Sequence, residues 1–187
     1  MEEMNEVRSL HCPVCGRHGV KREYFGKPKM GYHFYHCRVC CGPTGYYSTD
    51  ILGEERLRLV PQRYRISAWI REQILETKRK GKDYVAFTNV DDGSIPGINS
   101  IMAIEDPDSK KKLIQNLNRM VECYDKLPEI HFDLDYPLAW FKDPTEFRKL
   151  LYELENEALI KFNFLDSKKA IISIVNFRRE RFSLDWY

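Results

Sequence analysis

Apolar and polar positions change their period several times along the chain, and each change marks an element. Between residues 20 and 36, aromatic and charged side chains flank a turn-forming run, Gly26-Lys27-Pro28-Lys29-Met30-Gly31. That pattern predicts two strands of a hairpin over 20–25 and 32–36, with Tyr46 and Tyr47 in a third short strand. From residue 49 the period lengthens. Thr49 or Asp50 is placed to cap a helix running to about Leu59, and Pro61 suits the first turn of a second helix ending near Gly81. Ile66, Trp69, Ile70 and Ile74 recur at three- and four-residue steps and give that helix one apolar face. Residues 82–106 lose the period. Tyr84 to Thr88 suits one short strand, and the turn residues from Asp91 to Gly97 make the stretch a linker.

Helical spacing returns in the last third. Asp106-Pro107 reads as the N-cap and first turn of a helix to about Tyr124, with Leu113, Leu117, Met120 and Tyr124 as its buried stripe. A short element over 136–141 follows, and Trp140 and Phe141 are expected in the core. Asp143-Pro144-Thr145-Glu146 then opens another helix as a capping box, with Phe147, Leu150, Leu151 and Leu154 on one face. Alternation over 159–164, a turn at Asp166 to Lys169 and a return over 171–175 predict a β-hairpin. Helix, short helix, helix and hairpin, in that order, is the layout of a winged helix.

The cysteines add chemistry to this outline. Cys12-Pro13-Val14-Cys15-Gly16 and Cys37-Arg38-Val39-Cys40 are two Cys-x-x-Cys pairs, the spacing of two knuckles closing on one tetrahedral Zn²⁺. Gly16 suits the sharp turn after the first pair, because it adopts positive φ without a Cβ clash. Cys41 competes with Cys40 for the fourth position; the two-residue spacing of the first pair favours Cys40. His11, His18 and His36 are close enough in sequence to substitute, and Cys123 lies far off on a helix. Cys12, Cys15, Cys37 and Cys40 are therefore the expected ligands of a structural zinc. Four thiolates leave no open coordination position for catalysis. The fold class expected is α+β: a zinc ribbon over 1–50, a helical joint over 51–81, a linker over 82–106 and a winged-helix-like domain over 107–187.

A helix reading Ser67-Ala68-Trp69-Ile70-Arg71-Glu72-Gln73 follows the Cys-Pro-x-Cys-Gly knuckle. Together they resemble a recurring bacterial N-terminal region, often followed by a helical or winged-helix segment and then by an effector domain, TIR-type among them. Proteins of that kind are suspected of working in anti-phage defence. The resemblance implies an adaptor or sensor in such a system. Cys41 departs from the pattern by standing where the second knuckle carries glycine.

Charge refines the choice of partner. The 30 Lys and Arg nearly balance the 28 Asp and Glu, but they are unevenly spread: residues 1–81 hold 15 basic and 9 acidic side chains, residues 82–187 hold 15 and 19. Arg63, Arg71, Lys78 and Arg79 on the second helix, with Arg178 and Arg179 near the end, are the candidate contacts to nucleic acid or to an acidic protein. The presumptive recognition helix is acidic, with Asp143, Glu146, Glu153, Glu155 and Glu157 against Arg148, Lys149 and Lys161. Such a helix meets repulsion in a major groove, so the winged-helix layout favours protein contacts or self-association. The final stretch, from Phe177 to Tyr187, interleaves arginines with aromatic residues and suits an interface.

No apolar run reaches the roughly 20 residues a membrane helix needs, and the acidic first residues lack a signal-peptide core. A cytoplasmic setting is expected, where paired cysteines mean metal rather than disulfides. No P-loop, dinucleotide fingerprint or hydrolase motif is present, which points away from an enzyme. His131-Phe132-Asp133-Leu134-Asp135, with His and two carboxylates on one face of an extended segment, is the sole hint of a hydrolase. The leading expectation is a non-catalytic adaptor or sensor; the alternative is a nucleic-acid-binding regulator that uses the ribbon and the basic helices.

Overall fold

Strands β1 (Asn5–Leu10), β2 (Val20–Tyr24), β3 (Tyr32–His36) and β4 (Tyr46–Asp50) form an antiparallel meander in sequence order. The computed structural model describes residues 5–24 and 31–175. The expected turn at 26–30 and the interface over 177–187, with Arg178 and Arg179, lie outside the described residues. A fifth strand, β5 (Tyr84–Phe87), joins the same sheet parallel to β4. Parallel neighbours need a crossover, and α2 (Ile51–Leu57) with α3 (Arg63–Lys78) supply it. The 51–81 segment is thus the middle of a β-α-β connection. The stretch expected as a linker closes that connection. Val85 and Phe87 alternate into the core, where the Phe87 ring stacks on Tyr47 at 5.7 Å and meets Trp69 edge-on at 6.3 Å. A short helix, α4 (Ile98–Met102), then packs against α3 through Ile98 and Ile101.

Local chemistry sets the helix ends. The Asp50 carboxylate accepts from the Gly53 N–H at 2.9 Å and so caps α2. For α5 (Ser109–Tyr124) the cap is Asp108, which accepts from the Lys111 N–H at 3.0 Å. Asp106, the expected cap, instead takes the Arg65 guanidinium at 3.0 Å and the Tyr64 hydroxyl at 2.9 Å. Arg65 engages Asp106, and the helix starts two residues later than expected. Asp143 caps α6 (Pro144–Asn156) through the Thr145 N–H at 2.8 Å, while Glu146 pairs with Lys149 at 2.8 Å.

The second sheet contains β6 (Glu129–His131), β7 (Ile160–Phe164) and β8 (Lys169–Ile174), antiparallel in the order β6-β8-β7. β6 was not predicted, since three residues carry no readable period; β8 recruits it by offering its open edge. The chain turns immediately afterwards, with the Leu134 and Asp135 N–H groups both donating to the His131 carbonyl at 3.0 Å. His131, Asp133 and Asp135 therefore do not share one strand face, which corrects the extended segment expected there. A 3-10 turn (Tyr136–Ala139) leads into α6.

Two cores result. The first gathers cysteines, Tyr35, Tyr47, Phe87 and branched residues of α3 such as Ile66 and Ile70. The second is aliphatic and aromatic, built on Leu113, Leu117, Phe147, Leu151, Leu154 and Ile172. Helix α3 serves both, because Leu75 joins the second core, and Tyr136 packs against each. Among the described residues no helix is long and apolar enough to cross a membrane.

Candidate metal centre

The first knuckle is a tight loop between β1 and β2. The Gly16 N–H donates to the Cys12 carbonyl at 2.8 Å, and the Cys12 N–H donates to Arg17 O at 2.8 Å. Gly16 takes φ +76°, the left-handed conformation that turns Cys15 back toward Cys12. The second knuckle is one helical turn, α1 (Arg38–Cys41), for which Cys37 is the N-cap residue. The Cys41 N–H donates to the Cys37 carbonyl at 2.8 Å. Consecutive residues on a helical turn diverge by about a hundred degrees, so Cys40 and Cys41 cannot face the same way.

The Sγ atoms of Cys12, Cys15, Cys37 and Cys40 all lie within 4.8 Å of one another. Cys12 and Cys40 are 3.8 Å apart, and Cys15 and Cys37 are 3.4 Å apart. An ion bound tetrahedrally at about 2.3 Å from each thiolate would space them about 3.8 Å apart, so the donor set fits such an ion. Cys41 lies outside the cluster, its thiol directed at the Tyr35 carbonyl at 3.7 Å. Among the described residues no histidine belongs to the cluster. His11 and His18 pack edge to face with each other at 4.7 Å, and His36 lies 3.7 Å from Glu23.

Burial and mutual hydrogen bonding split the thiols. Hydrogen bonds with Cys12, Cys15 and Cys40 pull the Cys37 thiol far below its ordinary range, against the opposing effect of burial. Burial, followed by the neighbouring thiols, pushes Cys12 and Cys40 up. Four thiols packed this closely cannot all ionise without a cation between them. Outside the cluster, the Ser67 hydroxyl donates to Cys40 Sγ at 3.3 Å, and the buried Tyr47 hydroxyl lies 3.2 Å from Cys12 Sγ. Groups of this kind orient metal ligands. Neither was picked out from the sequence. Their signal is faint: Ser67 is a small polar residue at the start of an apolar helical face, and Tyr47 one of two adjacent tyrosines.

The basic candidates on α3 are each engaged differently. Arg63 donates to the Pro13 carbonyl at 2.8 Å and ties the helix start to the first knuckle. Arg71 is buried; it ion-pairs with Asp135 and donates to the Arg38 carbonyl at 3.1 Å. Lys78 donates to the Thr44 hydroxyl at 2.8 Å and sits over the Tyr124 ring, and Arg79 lies 3.8 Å from Glu122. Of the presumed acid-base trio, Asp135 is wholly buried and accepts from Arg38 at 2.7 Å as well as from the His131 N–H at 2.7 Å. Asp133 pairs with Arg148. The trio is a structural junction in which one carboxylate serves two guanidiniums, and Arg38 brings to it the turn between Cys37 and Cys40. No model of a known protein family matches the chain, and neither a curated protein nor a solved structure matches it.

Proposed function

We propose that the four cysteines hold a structural Zn²⁺ and that the chain is a non-catalytic adaptor or sensor. On this reading a zinc ribbon and a winged-helix-like half are joined across α3, and the molecule works through protein contacts. Zinc suits the donor set because thiolates are soft ligands and a four-thiolate shell is closed to substrate. The winged-helix reading draws support from the order α5, β6, 3-10 turn, α6, β7, β8 with β8 central in its sheet. The acidic character of α6 argues against a role for it in a major groove.

The observation that carries the protein-contact reading is an aromatic face at the sheet edge. Phe164 of β7 is 54% exposed, Tyr152 of α6 is 51% exposed, and both rings pack on the half-buried Phe162, at 5.4 and 5.8 Å. Exposed clustered aromatics on an edge strand are costly in water and are typical of surfaces that meet another protein. Sedimentation of the purified chain is expected to reveal self-association or a co-purifying protein that Phe164→Asp removes. A wild-type chain that stays monomeric and partner-free at all concentrations sinks the reading. Metal analysis should return one zinc per chain. The bacterial defence setting rests on the resemblance of the Cys12–Gly16 knuckle and the Ser67–Gln73 string; unchanged phage sensitivity on deleting the gene would remove it.

A further inference from the structure

A cavity of about 500 Å³ lies where the four-cysteine half meets the C-terminal sheet. Its volume falls in the range of small-molecule sites, roughly 300–1,000 Å³. Three regions supply its walls. The second knuckle contributes Arg38, Pro43 and Thr44; the end of α5 and the following turn contribute Met120, Tyr124, Lys126 and Leu127; the sheet contributes Glu129, His131 and Lys169. We propose that this cavity binds a small organic phosphate, an apolar or aromatic body carrying a phosphate group.

The charge balance motivates the phosphate. Arg38, Lys126 and Lys169 line the cavity, and Lys78 reaches its rim by bonding to Thr44 and lying over Tyr124 at 4.9 Å. Behind Arg38 stands Arg71, and the two share the single carboxylate of Asp135. Glu129, the one carboxylate on the wall, is 3.3 Å from Lys169. Among the lining residues three cations thus meet one carboxylate, an excess of two, and Lys126 makes no ion pair among the described residues. A phosphate group, with a charge of about −1.5 to −2 at neutral pH, matches this excess better than a single carboxylate does. His131 adds a neutral donor: its Nδ1 accepts from the Asp133 N–H at 3.2 Å, so in the uncharged ring Nε2 carries the proton.

The opposite character of the remaining wall motivates the apolar body. Leu134 and Met120 are buried there, Tyr124 is half-buried, and Leu127 is 48% exposed at the mouth. A planar body laid against Tyr124 and Leu127 would remove that apolar surface from water while its phosphate meets the lysines. Because the walls come from both halves, a bound ligand would also hold the two cores together. This assignment goes beyond the adaptor reading and does not rest on it.

The test is isothermal titration calorimetry of the metal-loaded chain with 1-naphthyl phosphate, and with its two parts, 1-naphthol and inorganic phosphate. The whole probe should bind saturably and at least about tenfold more tightly than either part, a factor worth about 1.4 kcal/mol. Lys126→Glu and Leu127→Asp, both at exposed positions, should each weaken it by about tenfold or more. Lys142→Glu serves as control. It lies in a separate groove beside Tyr64 and Trp140, which shares no lining residue with this cavity, and should leave binding unchanged. No saturable binding at millimolar probe, equal binding of phosphate alone, or binding that survives both cavity substitutions overturns the proposal.

Discussion

The two cores on either side of α3 are built on different principles. The N-terminal core packs four cysteines against tyrosines and a phenylalanine, with Tyr35 stacked on Tyr47 at 5.1 Å and Tyr47 on Phe87 at 5.7 Å. The C-terminal core holds leucines, isoleucines and phenylalanine that fill space without polar atoms. Buried thiols and the Tyr47 hydroxyl need partners, and in the first core they find them in one another, in an arrangement that fits an ion. The second core rests chiefly on excluding water, with the buried Asn116 amide donating to the Leu138 carbonyl at 2.8 Å. One half should therefore depend on metal, while the other stands largely by burial.

Removing the metal tests this contrast most severely. Chelation, or Cys37→Ser, should abolish hydrogen-exchange protection in β2, β3 and β4 while α5, α6 and β8 remain protected. Structural zinc in small sites is worth about 10–16 kcal/mol of apparent binding energy, more than a small core can replace. Simultaneous loss of protection in both halves would break the comparison.

The junction between the halves comes next. Asp135→Asn leaves the buried Arg71 and the partly buried Arg38 without their shared counter-charge, and breaking a buried pair costs about 3–5 kcal/mol. Denaturant unfolding of wild type and variant gives the difference directly. Its pH dependence has a definite sign. Burial would raise the Asp135 carboxyl, but Arg71 and Arg38 outweigh burial and hold it below its ordinary value. A depressed folded value means that the stabilisation is complete above the unfolded pKa, about 3.9, and fades as pH falls through the folded one. The gap between wild type and variant should thus be level near neutrality and close only in acid. A gap that widens in acid would contradict the pairing.

Truncation in the second core should cost less and stay local. Leu154→Ala removes a fully buried side chain, and such changes cost about 2–5 kcal/mol. Zinc content should be untouched, which metal analysis of the variant checks. The smallest effect is expected at Cys41→Ser. Cys41 is buried but outside the thiol cluster, so the variant should keep its metal and lose about 1 kcal/mol in thermal or denaturant unfolding. Loss of the ion would instead place Cys41 in the coordination shell.

Much of the helical content was legible because it rests on short-range chemistry. The stripes of α5 and α6, the Asp50 and Asp143 caps and the cysteine spacing depend on residues within a few positions of each other. What was not legible depends on distant partners. The short strand expected over 84–88 is present as β5, but its place in the first sheet comes from pairing with β4 and from Tyr47 and Trp69, and β6 pairs with an edge that β8 offers. Asp106 likewise pairs with Arg65, more than forty residues away, and Asp108 caps α5 instead.

The sequence by itself determined that two Cys-x-x-Cys turns would present thiolates, because a knuckle is a local object of four residues and a glycine. Only the tertiary structure decided how those turns are used. It placed Cys40 rather than Cys41 in the cluster, set Tyr47 and Ser67 against the sulfurs, and drew Arg38 and Arg71 onto Asp135. It also left an excess of positive charge around a cavity that no local pattern foretells. Spacing along a chain fixes which side chains can converge within a turn; which of them meet across 64 or 97 residues depends on how the sheets and α3 pack.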